Sequence, residues 1–111
     1  MEPPDGGTDQ IRIPGWIVDL AAQRLTTESG EPVRLTQAEY RILVLLVRNP
    51  RQVVTRDQLL EVVAGRSWQP FDRSIDVHIS NLRRKLAPGA NRANPIRTVR
   101  GAGYMFVPER E

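Results

Sequence analysis

Asp72-Arg73-Ser74-Ile75-Asp76-Val77-His78-Ile79-Ser80-Asn81-Leu82-Arg83-Arg84-Lys85-Leu86 is the stretch that decides the fold of this chain. At about 100° per residue, Ile79, Leu82 and Leu86 fall within about 40° of Ile75 on a helical wheel, a narrow apolar stripe suited to burial. The opposite side presents Arg73, Val77, Ser80, Asn81 and Arg84, with Ser74 and Lys85 on its flank. A helix face that only meets solvent mixes charges of both signs and avoids branched apolar side chains. This face carries no Asp or Glu and does carry a valine. The major groove of DNA asks for such a set: Arg for guanine or phosphate, Asn for adenine, a methyl group for the thymine methyl. A surface helix of chance composition is the plainer alternative.

Downstream, Pro88-Gly89 breaks the helix, and Ile96–Val99 and Tyr104–Val107 flank a turn through Arg100-Gly101-Ala102-Gly103. That pattern predicts a β-hairpin with Arg100 near its tip, placed to reach a minor groove or a phosphate. Upstream, Thr55-Arg56-Asp57-Gln58 and Thr36-Gln37-Ala38-Glu39 each fit a capping box, opening two further helices. The earlier one, Ala38 to Val47, is apolar almost all round and should lie beneath other elements. Ahead of it, short apolar runs at Ile11–Ile13, Trp16–Asp19, Arg24–Thr26 and Val33–Leu35, punctuated by Pro14-Gly15 and Gly30-Glu31-Pro32, predict a small antiparallel sheet. The expected class is α+β: sheet, three helices and a C-terminal hairpin, the plan of a winged helix-turn-helix. Residues 11–108 are expected to form one domain, with 1–10 a flexible tail or linker remnant and 109–111 a C-terminal tail.

The chain has 111 residues, 40% of them apolar, which suits one packed domain. Its net charge is only +3. No acid lies between Asp76 and Glu109, however, while Arg83, Arg84, Lys85, Arg92, Arg97 and Arg100 all fall there. One strongly basic end attracts polyanions, although a solvated basic face would look the same at this level. Cysteine is absent, which excludes disulfides and thiolate metal sites. No apolar run approaches the roughly 18 residues of a membrane span, and no basic-then-apolar leader opens the sequence, so a cytoplasmic location is expected. His78 is the lone histidine, without partners for a metal site or a triad, and a packed or phosphate-contacting role suits it. No nucleophile stands beside a base and no Gly-rich phosphate loop is present, so neither enzymatic activity nor a cofactor is expected.

DRSIDVHISNLRRKL followed by IRTVRGAGYMFVP, with LTQAEYRILVLLVRNPRQVVTRDQLL upstream, resembles the output domains of OmpR/PhoB-type bacterial two-component response regulators. The likeness runs from about Ile11 to Pro108, and PFDRSIDVHISNLRRKL is most similar to the CpxR-like branch. The resemblance implies a four-stranded N-terminal sheet, three helices, and a wing that pairs with a short strand before the third helix. It implies phosphate contacts at Arg73, Ser74 and His78, and base or groove contacts at Val77, Asn81 and Arg84. Ser80 joins the groove set, and Lys85 and Thr98 the phosphate set. Arg100 is left for the minor groove at the wing. The partner is then double-stranded DNA, with two domains docking head to tail on tandem direct-repeat half-sites. The segment 65–71 resembles one that some members present to RNA polymerase. Its Trp68 and Phe71 are core plugs or a partner surface.

Three departures stand out. Asn81 occupies a position that is Arg in several members. The second helix ends Val63-Ala64-Gly65, where many have a Trp before the Gly, and Trp68 is a candidate to fill that space. No receiver domain is present, so one either precedes this chain in the native protein or is lacking. A winged helix that binds protein instead of DNA is the competing function. It predicts acids or large apolar groups on the outward helix face.

Overall fold

Pro14-Gly15 turns the chain back on itself at the outset. Gly15 takes φ 92°, the left-handed value that the second central residue of such a turn requires. The turn joins β1 (Gln10–Ile13) to β2 (Trp16–Asp19), with Ile13 opposite Trp16. The computed structural model describes residues 10–64, 74–86 and 94–108. β3 (Arg24–Thr27) and β4 (Pro32–Val33) complete a four-stranded antiparallel sheet in the order β1-β2-β3-β4. Side chains alternate across it, so Ile13, Trp16, Val18 and Leu25 are buried from one face.

α1 (Gln37–Arg48) starts on a complete capping box. Glu39 N–H donates to Thr36 Oγ1 at 3.1 Å, and Thr36 N–H donates to Glu39 Oε1 at 3.0 Å. Ile42, Leu43 and Leu46 are fully buried, as expected of a helix apolar on most sides. Asn49 closes it, donating from Nδ2 to Leu45 O at 2.8 Å, and Pro50 follows. α2 (Arg56–Ala64) opens on the second capping box, with Gln58 N–H to Thr55 Oγ1 at 3.1 Å and Thr55 N–H to Gln58 Oε1 at 2.8 Å. α3 (Ser74–Lys85) buries Ile75, Ile79 and Leu82, and Leu86 just beyond its end is buried with them, the stripe read from the wheel.

A second sheet has the order β5-β7-β6, built from β5 (Val53–Thr55), β6 (Ile96–Val99) and β7 (Gly103–Phe106). The short strand that pairs with the wing therefore lies ahead of the second helix, not the third as the resemblance implied. Val53-Val54-Thr55 is a β-branched triplet that favours extended backbone, and it runs straight into the Thr55 cap of α2. Gly103 makes the pairing possible, because any Cβ there would sit 2.2 Å from Val54 O. The apolar faces of both sheets and all three helices meet in one core, to which β7 contributes Tyr104 and Phe106.

Candidate nucleic-acid interface

α3 turns its stripe inward, so its other side must face out. Val77 is 56% exposed, unusual for a valine, and Ser80 and Arg84 are exposed beside it, with Asn81 half-buried. Arg84 donates through Nη2 to Asn81 Oδ1 along this face. His78 is half-buried on the flank. The helical backbone includes Ser74, whereas Arg73 and the segment 65–71, with Trp68 and Phe71, lie outside the described residues.

The wing is fastened to α3 by an ionic and aromatic cluster. Asp76 Oδ1 accepts from Tyr104 Oη of β7 at 2.6 Å and from the Arg56 guanidinium at the start of α2. Arg83 donates from Nε to Ile96 O at 3.0 Å and from Nη2 to Thr98 Oγ1 at 2.6 Å, both in β6. Its guanidinium carbon lies 5.7 Å from the centroid of the Tyr104 ring, within cation–π range. Arg83 thus serves the wing and not Asp76, which lies seven residues back, roughly 10 Å along the helix, and is already held by Tyr104 and Arg56. The Tyr104 hydrogen bond chiefly, with Arg56 in support, outweighs desolvation and holds the Asp76 carboxyl below its ordinary pKa. Burial and the same carboxylate push the Tyr104 hydroxyl up. The lone acid of a basic stretch was the available signal for this cluster, but its partners come from elements that no local pattern connects.

The wing turn closes with Ala102 N–H to Val99 O at 2.9 Å, and Gly101 takes φ 77°. Arg100 is exposed at this tip, and Thr98 is exposed beside the Arg83 guanidinium. Between the wing and the start of α2 runs a groove of about 500 Å³ lined by Thr55, Arg56, Thr98, Arg100 and Tyr104 among others. Arg56 is a basic group at this groove that the sequence reading did not single out.

Lys85, on the other flank, reaches back to α1. Its Nζ lies 2.6 Å from Glu39 Oε1, and Glu39 is only 1% exposed. Burial alone would raise the Glu39 carboxyl. The Lys85 bond and the Thr36 amide together outweigh it, so the group stays below its ordinary pKa and remains ionised. Among the described residues no cluster of three or more His, Cys, Asp or Glu could hold a metal ion, and no helix is long and apolar enough to cross a membrane.

The family model described as transcriptional regulatory protein, C terminal, matches residues 30–106. The chain belongs to this family. As a C-terminal regulatory domain it is 44% identical over 91 residues to the regulatory protein VirG of Agrobacterium fabrum, covering 82% of this chain and 36% of VirG. It is 38% identical over 104 residues to the transcriptional regulatory protein CpxR of Escherichia coli, covering 93% of this chain and 44% of CpxR. The domain thus spans less than half the length of these curated relatives. Among solved structures, the DNA-binding domain of CpxR from E. coli matches with a TM-score of 0.76 at 36% identity, covering 88% of this chain and 95% of that one. The RstA DNA-binding domain of Klebsiella pneumoniae, solved in complex with the RstA box, matches with a TM-score of 0.75 at 35% identity, covering 90% and 98%. The resemblance to OmpR/PhoB-type output domains, CpxR included, is borne out, and so is the winged helix-turn-helix fold.

Proposed function

We propose that this domain binds double-stranded DNA sequence-specifically, as the output module of a two-component response regulator, with α3 in the major groove and the β6–β7 wing at the minor groove. The observation that carries the reading is the outward face of α3: Val77, Ser80, Asn81 and Arg84 turned away from the core with no acid among them, beside a wing that ends in Arg100. The RstA domain, solved on its DNA box, supports it. Arg73, Ser74, His78 and Thr98 are then phosphate contacts, joined by Lys85 through the donors that Glu39 leaves free and by Arg56 at the groove beside the wing. The segment 65–71 would meet RNA polymerase, and a receiver domain would precede residues 11–108 in the whole cytoplasmic protein. The role is regulatory rather than enzymatic. Two domains would dock in tandem on direct-repeat half-sites about one helical turn, on the order of 10–11 bp, apart.

Titration against duplex DNA at several salt concentrations tests the core of this. Four or five phosphate contacts should give a slope of about −4 in log affinity against log salt, at roughly −0.9 per contact. A nearly flat dependence would refute DNA binding.

The same titrations separate reading from holding. Asn81→Ala should cost about 1–3 kcal/mol on the preferred duplex and much less on a scrambled one, because it removes base reading and leaves the phosphate contacts in place. Arg73→Ala should weaken both alike and lower the slope by one phosphate's share. Arg100→Ala should fall between, since a minor-groove arginine senses groove width as well as charge. Equal weakening of both duplexes by Asn81→Ala would remove Asn81 from the base-reading set.

A further inference from the structure

The Arg84–Asn81 contact fixes more than a rotamer. A guanidinium has donors and no acceptor, so the amide atom facing it must be the oxygen, and Nδ2 points away. An asparagine acting alone pairs with adenine by accepting from N6 and donating to N7. Here one of the two Oδ1 lone pairs is already engaged by Arg84. An adenine N6 amino group brought to the same oxygen would meet the guanidinium N–H groups, donor against donor. What the pair turns outward is mainly donors, the Nδ2 hydrogens and the remaining guanidinium hydrogens, and the lone pair left on Oδ1 lies beside that guanidinium.

In the major groove, guanine offers two adjacent acceptors, O6 and N7, and no donor, whereas thymine offers the single acceptor O4 beside a methyl group and adenine and cytosine each present an amino group. A cytosine amino group would need a carboxylate. The carboxylate on α3, Asp76, is held on the wing side by Tyr104 and Arg56. We propose that Asn81 and Arg84 act as one reading unit and that the base they select is guanine, not the adenine an isolated asparagine would choose. The inference rests on the DNA-binding reading above and specifies the ligand of its central residues.

Selection of bound duplexes from a randomised library, by the parent domain and by Arg84→Met, tests it. Arg84 is exposed, so its loss leaves the core intact. The parent should enrich guanine at one position of each half-site. Arg84→Met, with Oδ1 released, should enrich adenine there, and preference measured on the two duplexes should swing by about tenfold or more. Arg84→Lys keeps a donor against Oδ1 and should retain guanine. Adenine at that position with the parent domain, or no position that changes between parent and Arg84→Met, would overturn the proposal while leaving DNA binding in place. Failure of the parent to enrich any sequence, with flat salt dependence, would instead remove the DNA-binding reading and this one with it.

Discussion

Gly103→Ala is expected to destabilise the domain by about 3 kcal/mol or more, enough to lower its melting temperature by more than about 10 °C. The added Cβ would meet Val54 O at 2.2 Å and Thr55 Cα at 2.9 Å, and both are backbone atoms. A side chain could swing aside, but a paired strand cannot move without giving up its ladder. The backbone at this residue, φ 152°, also lies where L side chains rarely go. Gly101→Ala is the internal control. Gly101 has φ 77° but open space around it, so about 1 kcal/mol is expected. Thermal unfolding of the two variants, followed by circular dichroism, checks the contrast. Equal melting temperatures would mean that backbone strain, and not the close approach of β7 to β5, is what glycine relieves at position 103.

Lys85→Met should cost about 2 kcal/mol, for a different reason. The substitution strands the ionised carboxylate of Glu39 in the interior with the Thr36 amide as its remaining partner. Fully buried pairs lose about 3–5 kcal/mol when broken, and the part-exposed lysine, at 32%, reduces that. The double variant Glu39→Gln/Lys85→Met removes the stranded charge and should recover part of the loss, with a coupling on the order of 1 kcal/mol. Strict additivity in urea unfolding would disprove the coupling. The pair also dictates a pH dependence. Because the folded carboxyl titrates below its ordinary 4.5, its contribution is complete above that value and is lost as pH falls through the lower folded one. The parent should therefore lose stability in acid faster than Glu39→Gln does. Lys85→Met also weighs the lysine's second duty, since a lowered salt slope of DNA binding would reveal a phosphate contact alongside the internal one.

Helices α1 and α2 were legible because their punctuation is local. Thr36 with Glu39, and Thr55 with Gln58, are pairs three residues apart, and both form the reciprocal bonds that their spacing foretold. The stripe of Ile75, Ile79, Leu82 and Leu86 was legible from periodicity, and all four are at most 1% exposed. Partnership across elements was not legible. Asp76 with Tyr104, Arg83 with Thr98, and Lys85 with Glu39 each join positions far apart in the chain, through geometry that exists only once the core has assembled. The same holds for β5, three residues long, whose role depends on a glycine in a distant strand. Within the candidate site, the exposed α3 face could be read ahead of the structure. The spacing of Asn81 and Arg84, three residues apart on that face, permits a bond between them, and the structure shows it made, which changes what the face offers a base.

The pairing of β5 with β7 bears on how the chain is made. Val53, Val54 and Thr55 wait for partners about fifty residues later, at Met105, Tyr104 and Gly103. During synthesis the helices and the N-terminal sheet can form as they emerge, yet the β5 edge stays open until the final strand leaves the ribosome. An open edge that bears two valines is a template for pairing with another chain. Translation that stalls or terminates before Phe106 should thus yield not a smaller domain without a wing but an aggregation-prone fragment, and the cell's quality-control machinery would meet it in that form.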